Sequence, residues 1–162
     1  MIMDYKQISF EMRLADTDAD ATAQMLLDKA TEAARRAYAP YSRFRVGAAA
    51  LLSDGTVVTG NNQENAAYPS GLCAERVTVF YANSRYPDTA ITHLLIVAET
   101  DEGLLRQPVT PCGACRQVLI ETEKRQGSPI RIYLAGRDTV WCIASAAELM
   151  PLSFVPESLV NQ

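Results

Sequence analysis

Three cysteines in the sequence are placed to bind a metal ion. Cys73 lies at the start of one predicted helix, and Cys112 and Cys115 lie at the start of another. The free N–H groups and the positive dipole end of a helix N-terminus favour thiolate over thiol. The i, i+3 spacing of Cys112 and Cys115 puts both sulfurs on one side of a first turn, as tetrahedral zinc requires. Three protein ligands leave a fourth position open, which is typical of catalytic zinc.

Two charged residues follow Cys73 closely enough to act on such a metal. Glu75 lies beside the site without being needed as a ligand, the position of a general acid/base that moves a proton from activated water. Three thiolates around Zn²⁺ carry a net charge of −1, and Arg76 can offset this charge by donating a hydrogen bond to a ligand sulfur. The alternative is that Glu75 complements the helix dipole and Arg76 is a solvated surface charge.

The remaining histidine and cysteine are predicted to lie outside the metal site. His93 is the sole histidine and has no metal-ligand spacing to any cysteine, so a hydrogen-bonded or exposed position at a strand start is preferred. Cys142 lies in the apolar run Val140-Trp141-Cys142-Ile143, where a free cysteine packs as a small hydrophobic residue.

Composition limits the class of protein. The 162 residues are 48% hydrophobic, which suits one domain over residues 1–162 with its own core. The formal net charge is −4 with no cationic block, so a nucleic-acid partner is not expected. The longest apolar runs fall far short of the roughly 18 residues that a membrane-spanning helix needs, and charged residues interrupt the N-terminal segment. We therefore expect no membrane partner and a cytoplasmic location, where thiols stay reduced.

Periodicity and turn signals predict an alternation of helices and strands. The Asp54-Gly55 pair indicates a hairpin, Asp20 can cap the first helix and Pro40 can end it, and Thr110-Pro111 can begin the third helix. No element is assigned to residues 1–17. The predicted order is helix 20–39, strands 45–52 and 56–62, helix 73–86, strand 91–99, helix 110–126, strands 130–135 and 140–144, and a short helix 145–150. This order predicts an α/β layered sandwich on a mixed sheet.

The sequence resembles the zinc-dependent cytidine deaminases, specifically the small homotetrameric kind that acts on free nucleosides. The shared signature is a His or Cys, one residue and Glu, followed later by Pro-Cys-x-x-Cys. The resemblance covers roughly residues 38–159 and implies a three-layer α/β/α sandwich. Besides the metal motifs, the matching stretches are YSRFRVGA from Tyr41, NQENAAY from Asn62, CRQ from Cys115 and LMPLSF from Leu149.

The resemblance implies a role for each matching residue. Cys73, Cys112 and Cys115 hold Zn²⁺, Glu75 is the proton shuttle, and Arg76 bonds a ligand sulfur. Asn62 and Glu64 hydrogen-bond the ribose hydroxyls, Phe44 packs on the pyrimidine, and Ala74 contacts the substrate. Phe154 reaches a neighbouring subunit's pocket, and Tyr68 lies near the subunit contacts. Taken without the family, Asn62 and Glu64 look like turn residues and Phe44 like a core residue.

The implied reaction is hydrolytic deamination of cytidine and deoxycytidine to uridine and deoxyuridine plus ammonia, by zinc-bound hydroxide, in pyrimidine salvage. The implied partners are a free pyrimidine nucleoside and, in a homotetramer, other copies of the chain. The nearest alternative is a deaminase of an aminonucleoside antibiotic of the blasticidin S type. Further alternatives are a polynucleotide-editing deaminase, a structural zinc module, and a thioredoxin-like redox protein, which would leave Cys73 unexplained.

Overall fold

The computed structural model describes residues 13–14 and 21–160, which contain four α-helices and seven β-strands. Two 3₁₀ turns, Tyr68–Ser70 and Ala146–Leu149, connect some of these elements. The helices are α1 (Ala21–Ala34), α2 (Ala74–Arg85), α3 (Gly113–Gln126) and α4 (Glu157–Val160). The strands are β1 (Arg13–Leu14), β2 (Arg45–Leu52), β3 (Val57–Asn61), β4 (Ile91–Thr100), β5 (Gly103–Leu104), β6 (Arg131–Ala135) and β7 (Val140–Ile143).

All described strands belong to one mixed sheet. Its order is β1-β7-β6-β4-β2-β3, and β5 pairs with the end of β4. The pairing of β4 with β6 is parallel, and the other pairings are antiparallel. The chain makes the parallel connection through α3, as a crossover between parallel strands requires. This arrangement confirms the predicted mixed sheet.

Helices cover both faces of this sheet, because side chains of successive strand residues point to opposite faces. On one face, Ala49, Leu95 and Tyr133 pack with Leu26 and Ala30 of α1. On the other face, a second cluster joins the strands to α2 and α3; it includes Ala48, Ala50, Leu94, Ile96, Ile132 and Leu134 of the strands with Val79 and Leu119 of the helices. The layers are therefore α/β/α, as the sequence predicts.

The hairpin between β2 and β3 has the predicted turn. Gly55 has φ +88°, a conformation that glycine adopts without strain, and the Thr56 N–H donates to Asp54 Oδ1 at 2.9 Å. The hairpin aligns Gly47 with Asn61, so the end of β3 lies beside the start of β2. This alignment brings residues 44–46 and residues 61–64 together.

Two predicted helix ends are wrong. The first helix ends at Ala34 instead of Ala39, because the Tyr38 N–H donates to Asn62 O at 3.1 Å and draws the chain toward β3. Its predicted cap, Asp20, lies outside the described residues. The third helix begins at Gly113 with Cys112 as its N-cap, not at Thr110-Pro111, because Cys112 has extended backbone angles (φ −67°, ψ 167°).

Three elements were not predicted, namely β1, β5 and α4. Arg13 and Leu14 of β1 pair with Cys142 and Trp141, whereas the other residues of the unassigned segment 1–17 lie outside the described residues. The other predicted elements agree with the structure within one residue at each end, although residues 146–149 form a 3₁₀ turn. No helix in residues 21–160 is long and apolar enough to cross a membrane.

Candidate active site

Three cysteine sulfurs meet where α2 and α3 begin. Cys73 is the N-cap of α2, Cys112 is the N-cap of α3, and Cys115 lies in the first turn of α3. The Cys73 Sγ lies 3.9 Å from the Cys112 Sγ, which lies 3.5 Å from the Cys115 Sγ. All three sulfurs lie within 4.8 Å of one another. Because both helices pack on the same sheet face, their N-termini converge from distant parts of the sequence.

The sulfur positions fit a zinc ion. Zn–S bonds of about 2.3 Å in a tetrahedron place neighbouring sulfurs about 3.8 Å apart, close to the observed separations. Within residues 13–14 and 21–160, this ligand group contains three cysteines and no fourth His, Cys, Asp or Glu. Cys73, Cys112 and Cys115 would hold Zn²⁺ here, and the coordination position that they leave free suits a catalytic metal.

The electrostatics of the cluster favour negative charge on Cys73. A hydrogen bond from Cys115 and the nearby Arg76 guanidinium lower the pKa of the Cys73 thiol to about 5. The hydrogen bond to Cys73 and burial raise the pKa of Cys115, so the proton that the pair shares stays on Cys115. Thiolate is the metal-binding form of cysteine, so this environment prepares Cys73 for a cation.

Arg76 faces the cluster from the first turn of α2. Its Nη2 lies 3.6 Å from the Cys73 Sγ, and its Nε is buried without a hydrogen-bond partner among the described residues. The guanidinium therefore supplies positive charge next to the thiolates, as the sequence predicts for offsetting a net charge of −1.

Glu75 is buried at the start of α2, with a relative exposure of 5%. Burial raises the pKa of Glu75, and the negative charge of Cys73 raises it further. A carboxyl group with a raised pKa takes up and releases a proton near neutral pH more readily than an exposed one. The position is suited to proton transfer beside the metal.

A groove of about 280 Å³ connects the cysteine cluster with the end of β3. Its lining includes Cys73 and Arg76 on one side and Asn62, Glu64 and Tyr68 on the other. A cavity of this size is near the lower end of the range for small-molecule sites, about 300–1,000 Å³. The structure therefore places both predicted ribose-binding residues in one groove with a zinc ligand.

Asn62 and Glu64 already hold neighbouring backbone, but each keeps spare hydrogen-bonding capacity. Asn62 accepts from the Val46 N–H at 2.7 Å and donates to Phe44 O at 2.9 Å, which leaves one amide hydrogen free for a ligand. Glu64 Oε2 accepts from the N–H groups of Tyr41 and Ser42 at 2.9 and 3.3 Å, and Oε1 accepts from the Ser42 hydroxyl. A carboxylate has about four acceptor positions, so one stays available.

The other residues implied by the resemblance differ in their exposure and in whether they line the groove. Tyr68 is 76% exposed, and its ring meets the Tyr41 ring edge-on at 6.3 Å. Phe44 is half-buried and Ala74 is buried, and neither lines this groove. Phe154 is 60% exposed, and its carbonyl accepts from Gln117 Nε2 at 2.7 Å. The groove within one chain therefore lacks the Phe154 ring.

The residues that the sequence analysis excluded from the metal site lie elsewhere. The His93 ring stacks on Tyr133 with an interplanar angle of 5° and a centroid distance of 6.0 Å, on the sheet face covered by α1. Cys142 is half-buried and packs at the edge of the same cluster. Ser42, in contrast, was not singled out from the sequence although it contacts Glu64. The only sequence signal was its place two residues before Phe44 in the matching stretch YSRF.

Comparisons with known proteins identify relatives of the chain. The family model described as the cytidine and deoxycytidylate deaminase zinc-binding region matches residues 20–127. A cytidine deaminase of Halalkalibacterium halodurans is 41% identical over 138 residues, covering 84% of this chain and 96% of that protein. A cytidine deaminase of Mycobacterium tuberculosis is 50% identical over 103 residues, covering 63% of this chain and 72% of that protein.

Solved structures agree with these sequence matches. The crystal structure of cytidine deaminase from Burkholderia pseudomallei matches with a TM-score of 0.71 and 36% identity, covering 82% of this chain and 99% of that one. The crystal structure of cytidine deaminase from Mycobacterium tuberculosis matches with a TM-score of 0.64 and 38% identity, covering 83% and 98%. Together with the three-cysteine site, these matches show that the chain belongs to the zinc-binding cytidine and deoxycytidylate deaminase family.

Proposed function

We propose that the protein catalyses the hydrolytic deamination of cytidine and deoxycytidine, forming uridine or deoxyuridine and ammonia. One observation carries the proposal: the buried Glu75 carboxyl is hydrogen-bonded with Cys115 of the three-cysteine site, and the adjoining groove carries the polar groups of Asn62 and Glu64. The named relatives are cytidine deaminases, which supports the same reaction and gives no support to the aminonucleoside-antibiotic alternative.

The reaction needs an activated water and a group that moves protons. When bound, Zn²⁺ lowers the pKa of a water molecule so that it can add to C4 of cytosine at neutral pH. Glu75 takes the proton from this water and delivers it to N3 of the base. Glu75 then takes the proton of the hydroxyl group now on C4 and transfers it to the amino group. The C4–N bond breaks, ammonia leaves and the C4 carbonyl of the product forms. Burial raises the pKa of Glu75, which makes it a stronger base than an exposed carboxylate and favours its uptake of the proton from water.

The sugar and the base would be held by the groove and its border. The spare amide hydrogen of Asn62 donates to a sugar hydroxyl, and the spare acceptor position of Glu64 accepts from one. Phe44 packs its ring on the flat pyrimidine. The family resemblance also assigns Ala74, between Cys73 and Glu75, to the substrate contacts. Arg76 balances the charge of the sulfur ligands.

We also propose that the protein works as a homotetramer in which Phe154 completes the pocket of a neighbouring subunit. Large apolar side chains are exposed along the chain, and exposed apolar surface favours association. These exposed residues are Tyr38, Tyr41, Tyr68, Phe80, Tyr81, Leu152, Phe154 and Leu159. Tyr68, the most exposed tyrosine in residues 21–160, is assigned to the subunit contacts.

The remaining parts of the proposal concern the chain as a whole. We propose that residues 1–162 form one catalytic domain, since both core clusters share the same sheet. We further propose a cytoplasmic role in pyrimidine salvage, because thiolate ligands need a reducing compartment. A single unfolding transition and recovery of the protein in the cytosolic fraction are the expected results; separate transitions or a different fraction would contradict them.

The experiment that tests the function follows the loss of cytosine absorbance when the zinc-loaded protein is mixed with cytidine. A Glu75→Gln variant that retains zinc is expected to lose activity by about 10²–10⁴-fold, because the proton carrier is removed while the metal stays. Elemental analysis of both proteins is the control. Zinc-loaded parent protein that leaves cytidine and deoxycytidine unchanged would overturn the proposal.

A further inference from the structure

Ser42 connects Glu64, which lines the groove, with Phe44, which does not. The Ser42 hydroxyl donates to Glu64 Oε1, and Ser42 Oγ accepts a hydrogen bond from the Phe44 N–H at 3.0 Å. The Ser42 N–H also donates to Glu64 Oε2 at 3.3 Å. A single side chain is thus bonded both to the carboxylate assigned to the sugar and to the backbone of the residue assigned to the base.

The backbone around Ser42 is held in an unusual conformation. Arg43 has φ +55°, and it is the only non-glycine residue with positive φ among residues 13–14 and 21–160. Such a conformation costs free energy for a side-chain-bearing residue and persists where surrounding contacts maintain it. Here the contacts come from Glu64, through Tyr41 and Ser42, and from the Arg43 N–H, which donates to Ala39 O at 3.0 Å.

The charge state of Glu64 also depends on this contact. The hydrogen bond from the Ser42 hydroxyl is the largest cause that lowers the pKa of Glu64. The carboxylate therefore stays ionised and keeps its acceptor positions. Because Ser42 occupies one side of Oε1, the remaining acceptor position of that oxygen has a fixed direction.

We propose that Ser42 is a positioning residue of the substrate groove, which holds the Glu64 carboxylate and the Phe44 backbone in a fixed relative position. The inference rests on the proposed function, because it takes the sugar and the base of a nucleoside as the groups that Glu64 and Phe44 contact. Ser42 itself does not line the groove. Its loss should weaken nucleoside binding in the ground state and the transition state alike, which raises KM and leaves kcat unchanged.

The structure offers a matched control for the loss of this hydroxyl. Ser145 Oγ donates to Glu123 Oε2 at 2.8 Å and accepts from the Ala147 N–H at 3.2 Å. The local pattern is the same as at Ser42, with a carboxylate acceptor and a backbone donor two residues later. Ser145 lies beyond the end of β7 and does not line the groove. A purely structural effect of removing such a serine should therefore appear equally in Ser145→Ala.

The experiment compares parent protein, Ser42→Ala, Ser42→Thr and Ser145→Ala in cytidine kinetics, in calorimetric binding of uridine, and in thermal unfolding. Ser42→Ala is expected to raise KM and the uridine Kd by about threefold to tenfold, the worth of one hydrogen bond. Ser42→Thr keeps the hydroxyl at an exposed position and should restore both values to within about twofold of the parent. Ser145→Ala should change only the unfolding temperature.

A double variant tests whether Ser42 acts through Glu64. Adding Ser42→Ala to the Glu64→Gln variant should raise KM by a smaller factor than adding Ser42→Ala to the parent protein. The reason is that Glu64→Gln has already altered the contact that the two residues share. Fully additive effects, or a KM of Ser42→Ala equal to that of the parent, would overturn the inference. If parent protein neither binds uridine nor deaminates cytidine, the proposed function itself fails. Normal parent kinetics with an unchanged Ser42→Ala variant would overturn only the role of Ser42.

Discussion

The Arg76 guanidinium lies against the sulfur of Cys73, with Nη2 3.6 Å from Sγ. Both residues belong to the start of α2, three positions apart, so they share one side of the helix. The contact with Cys73 raises the pKa of Arg76 above its already high ordinary value, and the arginine keeps its charge. The same helix end therefore supplies a thiolate ligand and the cation that stabilises it.

Removing Arg76 should weaken zinc binding. Residues that hydrogen-bond a metal ligand typically contribute 10–100-fold to metal affinity. In competition with a chelator, Arg76→Ala should therefore bind zinc about tenfold more weakly than the parent protein. Arg76→Lys should give an intermediate result, because an ammonium group keeps the charge but not the planar fork. Arg106→Ala, which breaks an exposed ion pair with Asp138, is the control. Equal zinc retention in Arg76→Ala and Arg106→Ala would contradict this role.

Cys115 is buried and Cys142 is half-buried, but only Cys115 belongs to the proposed zinc site. Comparing the two therefore tests the assignment of the zinc ligands. Cys115→Ser should lose stoichiometric zinc, and Cys142→Ser, outside the cluster, should retain one zinc per chain. The physical reason is that a hydroxyl does not ionise near neutral pH and is a poor substitute for thiolate. Elemental analysis after gel filtration gives the ratio. Retention of zinc by Cys115→Ser, or its loss from Cys142→Ser alone, would contradict the assignment.

Phe154 should act in a site shared between subunits. Phe154→Ala is expected to raise KM while light scattering still shows the proposed tetramer. The variant loses the proposed contact of the ring with substrate, but its carbonyl remains bonded to Gln117. A sharper test mixes Phe154→Ala subunits with Glu75→Gln subunits. Some pockets of the mixed tetramer then combine an intact Glu75 from one chain with an intact Phe154 from the other. Activity above that of either variant alone is expected, and its absence in well-mixed tetramers would contradict sharing.

The elements of the fold were predictable where one local rule decides them. The Asp54-Gly55 turn and the start of α2 after Cys73 follow from neighbours in the sequence, whereas the start of α3 was placed two residues too early. The end of α1 was not predictable in this way, because it depends on the hydrogen bond from Tyr38 to Asn62. The two-residue strands β1 and β5 depend on pairing with β7 and β4 and carry too little sequence for periodicity to be visible.

The candidate site was predictable where local spacing in the sequence specifies it. It was not predictable where contacts between distant residues complete it. Spacing and helix-start positions indicated the three cysteines and Glu75, and the family resemblance added the substrate residues Asn62, Glu64, Phe44 and Phe154. The contacts between Glu64 and Ser42 join residues 22 positions apart, and they form only because β3 ends beside the start of β2. No pattern in the sequence specifies such a contact, which explains why Asn62 and Glu64 were assigned to the sugar without their second role in holding backbone.

Acid should destabilise the protein through carboxylates that are hydrogen-bonded in the native state. Such hydrogen bonds lower the pKa of four carboxylates, namely Asp54, Glu64, Asp138 and Glu157. Their native pKa values lie below the unfolded ones, so their stabilisation is present above about pH 4.5 and is lost as pH falls through the native pKa values. Thermal unfolding between pH 6 and pH 3 should therefore show a falling transition temperature.

The contribution of Glu64 to this acid sensitivity can be isolated. Glu64→Gln cannot ionise, so its transition temperature should fall less steeply with acid than that of the parent. Zinc loss at low pH affects both proteins equally, which makes the difference between their slopes the informative quantity. A steeper slope in Glu64→Gln than in the parent would contradict the lowered pKa of Glu64.

The contact between β2 and α1 leaves no room for a side chain at Gly47. A Cβ atom there would lie 1.9 Å from Ala30 O and 2.6 Å from Ala34 N, both backbone atoms of α1. Gly47→Ala must therefore move the helix away from the sheet, at a cost of about 3 kcal/mol or more. For a protein of this size, that cost corresponds to a fall of about 6–12 °C in Tm.

Gly113→Ala is the matched control, because its Cβ meets nothing within 4 Å and it lies in α3. Its Tm should stay level or rise slightly, since alanine favours helix. A Gly47→Ala variant as stable as Gly113→Ala would contradict the close packing of α1 on β2.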